Sequence, residues 1–115
     1  MSDKELAVLL AKAVDAKKGL DILILNLKKF NFILDYFIIV SGTSDSHVRA
    51  LADAIEFELE KNGLRLKHKE ADKISNWILM DCGNVVAHIF HKDSRKFYAL
   101  ERLWGDAKTL EYDND

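Results

Sequence analysis

The chain has 115 residues, which fits one domain with a core of its own. Hydrophobic residues make up 49% and charged residues 31%, the balance of an ordinary water-soluble globule. A formal net charge of -2 argues against broad nucleic-acid binding, a single cysteine excludes an internal disulfide framework, and no apolar run approaches a membrane span.

The first residues, Met1 to Ala7, carry neither a signal peptide nor an Arg-rich transit peptide, so a cytoplasmic location is expected. Ser2 and Glu5 make a capping-box pattern. Leu6, Leu9, Leu10, Ala13 and Val14 follow at helical spacing, and Gly19 suits a C-cap. Residues 21–27 are rich in Ile and Leu and short, as a largely buried strand would be. Lys28 and Lys29 interrupt it, and Phe30 and Phe32 are expected to close the core edge.

Asp35-Tyr36-Phe37-Ile38-Ile39-Val40 is aromatic and β-branched at successive positions, the pattern of a central strand covered on both faces. It runs into Ser41-Gly42-Thr43-Ser44 and then a long helix ending at Asn62-Gly63. Ser44 is its N-cap, and Val48, Leu51, Ala52, Ile55 and Leu59 form its buried face. Arg65 to Glu70 reads as a polar edge strand, where charge discourages pairing with other molecules. A polar loop then leads to Trp77.

Trp77 to Asp81 and Val85 to Phe90 are apolar runs flanking Cys82-Gly83-Asn84, which has the chemistry of a tight antiparallel turn. After His91 the spacing becomes helical. Asp93 or Ser94 caps this last helix, with Phe97, Leu100, Leu103 and Trp104 on one stripe and Arg95, Tyr98 and Arg102 beside it. The stretch 108–115 reads as a flexible tail of one domain spanning 1–115. The elements predict an α/β (α+β) fold, a mixed five-stranded sheet packed by helices, with a right-handed parallel crossover between residues 36 and 70.

Two sets of residues carry a resemblance. Trp77, Asp81, Gly83, His88, Phe90, Arg95, Tyr98, Leu100, Glu101, Leu103 and Trp104 match, in order and spacing, the C-terminal pattern of the ribosomal silencing factor (Iojap) family. Asp35-Tyr36-Phe37, Ser41-Gly42-Thr43-Ser44 and His47-Val48 resemble its other signature. Ala71 and Asn84 depart from it, where the family often has Gly and Asp. The resemblance covers about residues 3–107. It implies a nucleotidyltransferase-like fold and a translational repressor, not an enzyme. Such a repressor binds the large ribosomal subunit through ribosomal protein fourteen and blocks small-subunit joining when nutrients are scarce, with little direct nucleic-acid contact and no cofactor. A homodimer of the free protein is a further expectation.

Residue chemistry gives this reading a surface. Trp77 and Tyr98 are costly to expose, and aromatics ringed by charge suit a protein interface. Glu70, Asp81 and Glu101 could meet basic groups on a ribosomal protein, and Arg95 belongs to the same charged set. The competing enzymatic reading is nucleotide bound at Ser41 to Ser44, where a strand meets a helix N-terminus. Metal-dependent nucleotidyl transfer needs paired carboxylates on a neighbouring strand, and the one Asp-x-Asp, Asp113 with Asp115, lies in the tail. A structural, capped turn that needs Gly42 for its backbone path is the preferred reading of the segment. His88 and His91 should point to opposite faces of a strand and so do not suit one metal. His88 is expected to hydrogen-bond at the sheet surface, and nothing near Cys82 supplies a base. A third possibility is a homodimeric adaptor using the polar edge strand or the aromatic surface.

Overall fold

The computed structural model describes residues 1–28, 35–72 and 77–93, and the backbone of 108–109. Helix α1 spans Asp3–Ala16 and opens with the predicted capping box: Glu5 N–H donates to Ser2 Oγ and Ser2 N–H to Glu5 Oε1. Its buried stripe is Leu6, Ala7, Leu10, Ala11 and Val14. Leu9 and Ala13 are only half-buried, so the inward face is rotated towards the alanines. The helix stops before Gly19. Lys17 is the C-cap, Lys18 takes the left-handed conformation at φ 63°, and Gly19 N–H closes onto Val14 O at 2.8 Å, a Schellman arrangement. Gly19 serves close packing instead, because a Cβ there would lie 2.6 Å from Val40 Cγ2.

Strand β1 (Leu20–Asn26) pairs antiparallel with β2 (Tyr36–Gly42). Strand β2 therefore includes Ser41 and Gly42, which shortens the expected turn to Thr43 and Ser44. Helix α2 spans Asp45–Lys61 and buries Val48, Leu51, Ala52, Ile55 and Leu59, as its spacing predicts. Its end repeats the Schellman closure, with Gly63 at φ 71° and Leu64 N–H bonding Leu59 O. Leu64 and Leu66 then pack against the core, which delays the polar strand: β3 is His68–Asp72, not 65–70, and every residue in it is exposed.

The hairpin forms as its sequence predicts, from β4 (Trp77–Asp81) and β5 (Val85–His91). Gly83 sits at φ 101° in the turn, and Cys82 N–H bonds Val85 O at 2.9 Å. A two-residue strand β6, Lys108–Thr109, joins the outer edge of β1, inside the stretch expected to be a free tail. The sheet order is β3-β4-β5-β2-β1-β6, so five full strands form a mixed sheet and the fold is α+β. The register makes β2 and β3 run the same way, but β4 and β5 lie between them. The direct parallel partner of β2 is β5, with Tyr36 opposite Val85 and Gly42 opposite His91. The last helix predicted from Phe97 to Trp104, and Phe30 and Phe32, lie outside the described residues.

Strand alternation divides the core. Ile24, Tyr36, Ile38, Val40, Ile78, Met80, Val85, Ala87 and Ile89 pack with both helices. Leu25, Leu27, Ile39 and Phe90 form a second cluster with Leu23, Phe37 and Trp77. Strands β2 and β5 are buried along nearly their whole length, as the central positions require.

A candidate interaction face on the sheet

The face opposite the helices is read off the pairing register. Glu70 is opposite Leu79, and Leu79 opposite His88, which lies opposite Ile39. One row away, Asp72 is opposite Trp77 and Trp77 opposite Phe90. One row the other way, His68 is opposite Asp81. Side chains directly opposite share a face. Three of the sequence-predicted interface residues, Glu70, Trp77 and Asp81, therefore project from one side of the sheet. Arg95, Tyr98 and Glu101 lie outside the described residues.

The middle of this face is aromatic. Trp77 and Phe90 are 5.6 Å apart, centroid to centroid, with an 8° angle between planes. Trp77 is near-parallel to His88 at 6.0 Å, and the edge of Phe37 meets His88 at 4.6 Å and 80°. These are offset-stacked and edge-to-face geometries. Trp77 is half-buried, so it belongs to the core on one side and to the surface on the other. A concave site beside it is lined by Glu70, Ala71, Asp72, Trp77 and Leu79. The outer margin is polar and exposed: His68 Nε2 is 2.9 Å from Glu70 Oε1. Asp81 is half-buried and one oxygen accepts the Gly83 N–H at 2.9 Å, so this carboxylate shapes the turn as well as charging the face.

His88 departs from expectation. It is buried to 5% exposure, and neither ring nitrogen has a hydrogen-bond partner among the described residues. Rings surround it where a surface partner was expected. Removal from water disfavours the imidazolium and lowers its pKa to about 4. Neutral His88 is thus an aromatic core residue at neutral pH. An aromatic at i and i+2 on one strand, facing a tryptophan across the hairpin, was the available signal for this stack.

The strand-to-helix turn is occupied by its own side chains. Ser44 Oγ accepts His47 N–H at 3.1 Å, and His47 Nδ1 accepts Thr43 N–H at 2.9 Å. The Nδ1 atom must be the acceptor, so Nε2 carries the proton and donates to Lys17 O at 2.8 Å. His47, which spacing alone did not single out, thus ties the end of α1 to the start of α2. A Cβ on Gly42 would lie 2.9 Å from Val48 Cγ2 and 3.0 Å from Val48 N, so glycine is required by close approach. These contacts favour the structural reading of Ser41 to Ser44 over a phosphate cradle.

His91 projects from the opposite side to His88 and accepts Asp93 N–H at Nδ1. Among the described residues no three His, Cys, Asp or Glu side chains gather to hold a metal ion. Cys82 is buried, and burial, followed by Asp81, pushes its thiol up to about 12, far from a nucleophile's range.

Comparison with known proteins agrees with the sequence motifs. The chain is 42% identical over 111 residues to a ribosomal silencing factor of Halalkalibacterium halodurans, covering 96% of this chain and 95% of that one. It is 41% identical over 113 residues to the corresponding Bacillus subtilis factor, covering 98% and 96%. A crystal structure of a Chromobacterium violaceum protein superposes with a TM-score of 0.86 at 31% identity, covering 91% of this chain and 88% of that one. The family model described as ribosomal silencing factor during starvation matches residues 1–115, and the chain belongs to that family.

Proposed function

We propose that the protein is a non-enzymatic translational repressor. It binds the large ribosomal subunit through ribosomal protein fourteen and so prevents the small subunit from joining, notably when nutrients are limiting. Family membership supports a silencing role at the ribosome. The observation that carries the mode of action is the shared face of Glu70, Trp77 and Asp81. A half-buried tryptophan held by its neighbours is a low-entropy anchor, and a charged margin orients the partner more than it tightens binding. Arg95, Tyr98 and Glu101 are assigned to the same contact. The repressor acts in the cytoplasm, and no helix of the described residues is long and apolar enough to cross a membrane. Silencing then needs only competition for a surface, which a small rigid domain supplies while it remains bound.

The test is sedimentation of purified large subunits with the protein, followed by addition of small subunits. Co-sedimentation with loss of joined ribosomes is expected, weakened by Trp77→Ala or Tyr98→Ala in a protein that remains folded. Absence of large-subunit binding across low and moderate salt would overturn the reading. Charge reversal at Glu101 that left fold and binding intact would remove that residue from the contact.

A further inference from the structure

His88 is costly where it stands. The imidazole is buried, yet neither nitrogen has a hydrogen-bond partner among the described residues. A neutral imidazole carries one donor and one acceptor, and burial without partners forfeits the water that satisfied both. The surrounding rings do not replace it. Trp77 and Phe90 lie near-parallel to His88 at 6.0 and 6.3 Å, and Phe37 meets it edge-on. A phenylalanine would make the same ring contacts without the cost, so the two nitrogens call for an explanation of their own.

The cover over His88 has somewhere to go. Trp77 leans towards β5, where it stacks on Phe90 and His88. On its other side, towards β3, lies the concave site of about 200 Å³ lined by Glu70, Ala71, Asp72, Trp77 and Leu79. Leu79 is directly opposite His88, so the site and the imidazole are neighbours on one face. Turning the indole about its side-chain torsions, from the β5 side to the β3 side, fills the concave site and uncovers His88. The ring rests against the sheet in either seat and stays a confined anchor.

We propose that His88 is a covered hydrogen-bonding site: on docking, Trp77 turns into the concave site beside β3, and an uncharged polar side chain of the partner, a hydroxyl or a carboxamide, bonds the His88 ring. His88 has this role only if the sheet face is the ribosome-binding surface proposed above. The chemistry of the site selects the ligand. Hydroxyls and carboxamides can donate and accept, as a neutral imidazole does, and can meet either ring nitrogen. A charged group would have to shed its water among aromatic walls, which the site does not repay. Charge is met at the margin by Glu70 and Asp81, and His88 reads an uncharged group at the centre. Recognition of that group contributes specificity, because a partner lacking it leaves the imidazole unmatched.

The test compares wild type with His88→Phe and His88→Leu, for urea stability and for binding to purified large subunits. A hydrogen-bonding role gives the two readouts opposite signs. His88→Phe keeps the ring contacts and removes the orphaned nitrogens, so the fold should be as stable or more stable. Its affinity for the large subunit should fall about tenfold, the loss of one buried hydrogen bond. His88→Leu should lose affinity to a similar extent. The cover is tested on the free protein: in Trp77→Ala the His88 pKa, followed by NMR, should rise from about 4 towards 6.5. A His88 that still titrates near 4 in that variant would show that Trp77 is not its cover and overturn the proposal. Wild type that binds, with His88→Phe binding equally well, would overturn it while leaving the ribosomal reading intact. Wild type that fails to bind large subunits would overturn both.

Discussion

Trp77 lies directly opposite Phe90 across the β4–β5 hairpin, and the two rings are within 8° of parallel. The pair joins the start of one strand to the end of the next, so it fixes both the hairpin register and the slope of the aromatic face. Phe90 is buried to 1% exposure, and Phe90→Ala should destabilise the protein by about 3 kcal/mol or more, through lost transfer energy and the void left behind. Trp77→Phe, which keeps an aromatic plane, should cost less than Trp77→Ala. Urea titration of the three variants gives the comparison directly, and equal losses for Phe and Ala at position 77 would show that stacking contributes nothing there.

His88 makes stability depend on acid. Its pKa is about 4 in the fold against 6.5 when exposed, so the unfolded chain binds the proton more readily. Stability is fully present above about pH 6.5 and falls as the pH drops towards 4, by about 3 kcal/mol across that window. His88→Leu should remove this contribution to the slope. Urea midpoints at neutral and mildly acidic pH measure it, and an unchanged difference between wild type and variant would contradict it.

The turn before α2 predicts two further losses. Replacing His47 by Ala removes the acceptor for Thr43 N–H and the donor to Lys17 O, at a cost of about 1–2 kcal/mol. Gly42→Ala forces a methyl against Val48 and should cost about 1–3 kcal/mol. Because part of the Gly42 contact is with the Val48 backbone, combining it with Val48→Ala should rescue it only in part. Complete rescue in thermal unfolding would show that the side-chain contact alone sets the cost.

Cys82 should be silent in the native protein. Burial and a thiol pushed up to about 12 leave almost no exposed thiolate at neutral pH. A thiol reagent is expected to label it at the rate of unfolding or local opening, accelerating sharply in urea. Labelling of the folded protein as fast as a free thiol would show the hairpin turn to be open.

Patterns with a local cause were legible in the sequence. The capping box at Ser2 and Glu5, the Ser44 cap, the buried stripe of α2 and the Cys82-Gly83-Asn84 turn each depend on residues a few positions apart. What could not be read depended on distant partners. Gly19 seemed a helix terminator, but it is small because Val40 lies against it. The start of β3 shifted because Leu64 and Leu66 are drawn to the core first. His88 looked like a surface hydrogen-bonding residue until Trp77, Phe37 and Phe90 converged on it. For the interaction face, strand alternation already implied that Trp77 and Asp81 point the same way. Only the register of β3 against β4 added Glu70.

The parallel pairing of β2 with β5 sets the order in which a chain growing from its N-terminus can complete itself. Residues 36–42 emerge early and can pair with β1, but their other edge waits for residues 85–91. Until then an Ile-rich strand stands with one row of backbone groups unmatched, the condition that favours aggregation of partly made chains. Closure across so long a loop is also intrinsically slow. The central sheet is therefore finished only when most of the polypeptide has left the ribosome that makes it, and truncations before residue 91 should accumulate as insoluble material rather than as smaller folded domains.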